Sequence, residues 1–251
     1  MSLIVFIALF FPVLLGGLSV FLFTTGEKTL KLILAFGGAF LLSLTFVEII
    51  PEIYSTESTL IGLFVMLGFF VQLLLDFLTK GVEHGHHSHH EKLNQPCRRE
   101  QQEHFSFLGI MIGICIHSFL EGMPLSSNFG NELIKDTLLT GIVIHNIPIS
   151  IVLVSLFLHT GLSKTKSIVL LIVFALSSPF GTITSYYVGA ELIAQYAHFF
   201  DYVLAMVVGI FLHISTTILF ETDENHRFNF RKFFVIVLGF GATILLSIVV
   251  H

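Results

Sequence analysis

Eight apolar stretches recur along this chain, each close to the ~20 residues a helix needs to cross a bilayer. They fall at roughly residues 3–24, 31–54, 59–79, 105–127, 137–158, 167–189, 199–220 and 232–250, and only the connection at 81–104 is long. Helices buried in a soluble core carry a polar face, whereas these segments are apolar all round. With 54% hydrophobic and 12% charged residues and a mean hydropathy of +0.90, the chain does not fit the composition of a soluble domain. The reading is an all-α membrane protein of eight transmembrane helices whose partner along its flanks is the lipid bilayer. It divides into spans 1–3 (residues 1–80), the long loop (81–104) and spans 4–8 (105–251), within one membrane domain. Span 1 begins at Leu3 without a basic flank or a small-residue cleavage site, so it reads as a retained helix.

Basic residues orient the spans. With the N-terminus outside, the inner loops collect Lys28, Lys31, Lys80, Lys92, Arg98, Arg99, Lys164, Lys166, Arg227, Arg231 and Lys232, and the outer loops hold Lys135 alone. That asymmetry follows the positive-inside rule and puts both termini outside and the long loop in the cytoplasm. A net charge of −5 with no long basic run gives nucleic-acid binding no support. Two cysteines cannot define a zinc ribbon or a disulfide framework. Cys97 falls in the cytoplasmic loop, and Cys115 sits in span 4 on a different helical face from His117.

The stretch from His117 to Ser150 holds the chemistry. An ionisable side chain inside a span is costly and marks a pathway or a site. His117 and Glu121 are one turn apart on one face of span 4, with Ser118 adjacent. Counting residues from the span ends puts His117 about 15 Å deep and His145 about 12 Å deep from the same side, so the two imidazoles are level. Asn146 follows His145, and Pro148 is expected to weaken span 5 where a ligand needs room. Two histidines and a carboxylate, completed by water, suffice for a divalent transition metal such as Zn2+. No catalytic cofactor is implied.

Other polar groups lie along a route across the membrane. Glu48 and Glu52, four apart near the outer end of span 2, suit a cation entrance or interfacial snorkelling. The loop sequence Glu83-His-Gly-His-His-Ser-His-His-Glu91 clusters His84, His86, His87, His89 and His90, which can capture metal, and Cys97 and His104 follow. Ser178 opens a proline–glycine interruption in span 6. His213 lies in span 7, which runs into the acidic Glu221-Thr-Asp-Glu224. Spans 2 and 7 both finish on an apolar run into glutamate, Ile49-Ile-Pro-Glu52 and Leu219-Phe-Glu221, in opposite directions. Spans 1–3 and 6–8 therefore read as an inverted repeat around spans 4 and 5, an arrangement typical of secondary transporters.

On these features the chain resembles the ZIP family of divalent metal transporters and is similar to a divergent, bacterial-type member. In span 4, His117, Glu121 and Gly122 match the family's His-Asn-x-Pro-Glu-Gly. His145-Asn-Ile-Pro148 is similar to the span 5 motif, and Ser178-Pro-Phe-Gly181 to Glu-Pro-x-Gly in span 6. Ser118 stands in place of asparagine, Ile149 in place of the second motif's glutamate, and Ser178 in place of the span 6 acid. Typical members can hold two bridged metals; here the resemblance implies a single site of His117, Glu121 and His145, joined by a span 2 group it does not identify. Neutral histidines are needed to ligate, so binding weakens as pH falls. The resemblance further implies a bacterial inner-membrane permease carrying the cation toward the cytoplasm, compatible with a homodimer, with spans 1, 4, 5 and 6 moving against spans 2, 3, 7 and 8.

Two rivals use the same residues. An intramembrane zinc hydrolase would hold Zn2+ on His117, His145 and His213 with Glu121 activating water, though no His-Glu-x-x-His motif is present. A transport-deficient metal sensor would bind the ion without moving it.

Overall fold

The computed structural model describes residues 3–23, 26–55, 58–79, 96–126, 132–193, 198–220 and 230–250, and every regular element among them is helical. In order these are α1 (Leu3–Ser19), α2 (Glu27–Leu44), a π-helical turn (Thr45–Ile49) running into α3 (Ile50–Tyr54), α4 (Ile61–Thr79), α5 (Pro96–Gly122) with a 3-10 turn (Met123–Leu125), α6 (Glu132–His159), α7 (Lys164–Ile193), α8 (Phe199–Phe220) and α9 (Phe230–Val250). Helices follow from the solvent: in hydrocarbon every backbone N–H and C=O must be satisfied within its own segment. Five of the rods are long and apolar enough to cross a bilayer: the α2–α3 rod, α6, α7, α8 and α9. Shorter apolar helices occupy Leu3–Ser19, Ile61–Phe77 and Gly109–Leu125.

Burial is inverted relative to a soluble protein. Phe70, Leu74 and Phe77 on α4 and Phe234, Leu245 and Ile248 on α9 are exposed, while Glu121, His117, Gln72 and Asn146 are buried. A large exposed apolar surface marks a contact with something equally apolar, and at these helix lengths that contact is lipid. The protein is an integral membrane protein.

The helices form two groups of four rods. α1 packs on α6 and α7, and α5 packs on α7; α2 packs on α8 and α9, and α4 packs on α8. Contacts of α2 with α6 and of α4 with α5 join the groups along a seam. Glycine pairs fix two of the crossings. A Cβ on Gly122 would overlap the Ser178 carbonyl oxygen and one on Gly181 the Phe119 carbonyl oxygen, so α5 and α7 meet backbone to backbone. Gly68 and Gly209 do the same for α4 and α8, against Met206 and Val65. Such small-residue crossings let membrane helices gain dispersion contacts where no hydrophobic drive separates them from lipid.

Two irregularities differ from expectation. The prolines do not break their helices: α6 runs through Pro148 and α7 through Pro179. Beside Pro179, the Thr182 hydroxyl donates to the Ser178 carbonyl at 3.2 Å and, across to α5, to the Gly122 carbonyl at 2.8 Å. The departure from α geometry is instead at Thr45–Ile49, ahead of Pro51 in the continuing rod. Between α6 and α7 the chain turns on Gly161 at φ 81, with Gly161 N–H donating to the Leu158 carbonyl and Leu162 N–H to that of Phe157. This bonding pattern is a Schellman cap, and its left-handed residue favours glycine.

Candidate metal centre

The centre is assembled where α5 and α6 converge. The α-helical spacing of His117 and Glu121 stacks the imidazole over the carboxylate, and His117 Nε2 lies 2.9 Å from Glu121 Oε1. α6 brings His145 opposite, its ring centroid 6.1 Å from that of His117 and nearly perpendicular at 83°. One ligand atom from each of His117, Glu121 and His145 lies within 4.8 Å of the others, and all three residues are buried. Asn146 Nδ2 donates to the second carboxylate oxygen, Glu121 Oε2, at 3.2 Å. Glu121 is thereby held at Oε2, with Oε1 turned to the imidazole.

His117 Nε2 and Glu121 Oε1 lie 2.9 Å apart with both lone-pair-bearing atoms turned to the same point, as two ligands of one ion would be. The donor set, two imidazoles and a carboxylate in a dry setting, suits a borderline divalent ion such as Zn2+ better than Ca2+ or Mg2+, which prefer all-oxygen cages.

The opposite helix group contributes residues that pattern reading passed over. Gln72 on α4, fully buried, lies with Oε1 3.1 Å from His117 Nδ1. Span 3 reads as bland in sequence because a lone glutamine in an apolar run has no periodic partner; its partner is 45 positions away. α2 meets His145 at Gly37, where a Cβ would lie 3.7 Å from His145 Cα, in ordinary contact.

The remaining candidates are distributed around this centre. Ser118 is buried beside His117, and Ser178 is buried with an Oγ that finds no hydrogen-bond partner among the described residues. Ile149 lies in an apolar cluster with Val13, Ile114 and Leu153. Glu48 is buried within the π turn, and Glu52 is half-buried one turn on. Glu48 is eleven residues beyond Gly37, about 16 Å along the rod, too far to share one ion with His145. His213 stands apart as well: its Nε2 is 3.8 Å from Asp76 Oδ2 and its ring meets Phe69 edge-on at 4.9 Å. Among the described residues the one cluster able to hold a metal is His117, Glu121 and His145, so the three-histidine arrangement a hydrolase would need is not formed. Glu221 and the loop histidines His84, His86, His87, His89 and His90 lie outside the described residues, as do the side chains of Cys97 and His104.

Comparison with known proteins agrees with this chemistry. The family described as ZIP zinc transporter matches residues 81–247, which contain every member of the cluster. No curated protein matches the chain.

Proposed function

The chain belongs to the ZIP zinc transporter family, and we propose that it moves Zn2+ or a similar divalent cation toward the cytoplasm through one intramembrane site. The family is one of transporters, not enzymes. The observation that carries the proposal is the convergence of His117, Glu121 and His145, each buried, with ligand atoms within 4.8 Å.

In this reading the three side chains replace the ion's hydration shell, and Asn146 orients the carboxylate. Glu48 and Glu52 attract the ion at the outer mouth, and Ser118, Ser178 and His213 line or flank the route. Glu221 and the histidine loop receive the ion inside. Replacement of two family acids by Ile149 and Ser178 supports one metal rather than two, and the apolar surroundings of Ile149 agree. The direction and the outside placement of both termini rest on the basic-residue asymmetry. The inverted repeat of spans 1–3 and 6–8, residence in a bacterial inner membrane and a homodimeric state belong to the same proposal. Division into two packed groups supports movement of α1, α5, α6 and α7 against the rest, with the site carried on the first group.

Zn2+ uptake into proteoliposomes of the purified protein tests this reading. Wild-type protein should take up the ion, and His117→Ala and Glu121→Ala should not. Retained binding with no wild-type flux would sink the permease and favour a sensor; flux that survives both substitutions would place the site elsewhere.

A further inference from the structure

A histidine that ligates through one ring nitrogen must keep its proton on the other, and something must hold that proton in place. His117 turns Nε2 to Glu121 and Nδ1 to Gln72. Gln72 is a fully buried amide on an apolar helix, where a polar group is retained only if it is hydrogen-bonded. Its oxygen, 3.1 Å from Nδ1, can only accept. With the acceptor in place, the neutral ring carries its hydrogen on Nδ1 and presents a lone pair at Nε2. Without it, the hydrogen can sit on Nε2, donate to Glu121 Oε1 and close off both atoms that a cation needs.

We propose that Gln72 is a positioning residue for the transport site, its Oε1 accepting from His117 Nδ1–H across the seam and so committing Nε2 to the metal. The inference rests on His117, Glu121 and His145 being that site. Its consequence is wider than a local contact, because Gln72 and His117 belong to different helix groups. A slide of α5 against α4 by one turn, about 5.4 Å, breaks the bond, so correct presentation of Nε2 is tied to one relative position of the groups. Helix α4 carries the acceptor on the same face that presents Asp76 to His213 one turn further on.

The test uses the full chain in detergent with Co2+ alone as the probe, read by its d–d absorption, in a background where His84, His86, His87, His89 and His90 are serine. Gln72→Leu removes the acceptor and should weaken Co2+ binding about 10- to 100-fold, the usual effect of losing a partner behind a metal ligand, with an altered spectrum. Gln72→Glu keeps an acceptor at the same reach and should retain the wild-type spectrum and affinity. Wild-type binding and spectrum in Gln72→Leu would overturn the assignment. So would equal losses in the Leu and Glu variants, which would mean a packing role. Should Gln72→Leu fail to fold, Gln72→Glu decides alone: a wild-type spectrum supports the role, and its loss overturns it. His117→Ala separates the two levels, since Co2+ binding that survives it removes the site itself. Loss there beside an unaffected Gln72→Leu removes only the role of Gln72.

Discussion

Two seams in this membrane protein each pair a histidine with an acid, and they are built differently. Where α5 faces α6, His117 meets Glu121 of its own helix at 2.9 Å, both sealed from solvent, with His145 of α6 opposite and Asn146 on the second carboxylate oxygen. Between α4 and α8, His213 meets Asp76 at 3.8 Å, with Asp76 21% exposed and Phe69 against the imidazole. An intramembrane histidine beside an acid is common to both. Convergence of three ligand atoms from two helices occurs only at the first, among the described residues. The difference teaches that an ionisable pair in an apolar span is a prompt to look, and that donor count at one point separates a metal centre from a polar contact.

The sharpest way to break the comparison is to remove ligands from each seam. His117→Ala or Glu121→Gln should lower Zn2+ affinity more than about 100-fold by equilibrium dialysis in the loop-histidine-free background, exceeding the ~10- to 100-fold effect of outer partners. A similar loss from His213→Ala would make the second seam a metal site too.

Next come contacts around the first seam, beginning with the α5–α7 crossing. Gly122→Val and Gly181→Val push a branched side chain into a facing carbonyl and should destabilise the protein by at least about 1–3 kcal/mol in detergent thermal unfolding. Gly37→Ala, with room for a methyl beside His145, should unfold with wild type; a large drop there would mean α2 is pressed against the site. Asn146→Ala leaves Glu121 Oε2 without its donor and should weaken Zn2+ binding roughly tenfold by calorimetry. The smallest effect is expected for His213→Ala, with Zn2+ affinity unchanged within about twofold, as for sites that share no partner.

Much of the architecture is legible in a linear reading because its causes are local. Apolar runs of membrane length must become helices, and the i, i+4 spacing of His117 and Glu121 stacks them whatever surrounds them. Depth counting also brings His145 level with His117, since rise per residue is constant along a helix. The prolines are read less securely: Pro148 and Pro179 each remove a backbone donor, yet α6 and α7 continue through them, as membrane helices can. The π turn around Glu48 has one local correlate, Pro51, whose missing N–H leaves the Val47 carbonyl without its α-helical partner.

What the sequence by itself determined is the class of molecule, its all-helical character and the side chains able to bind a metal, because hydropathy, span length and ligand chemistry are properties of short segments. Only the tertiary structure decided which helices touch: that α4 delivers Gln72 to His117, that α2 meets His145 with a glycine, and that His213 turns to Asp76 and away from the cluster. Those contacts join residues tens to more than a hundred positions apart. They depend on glycine pairs and cross-helix packing, whose geometry no local pattern contains.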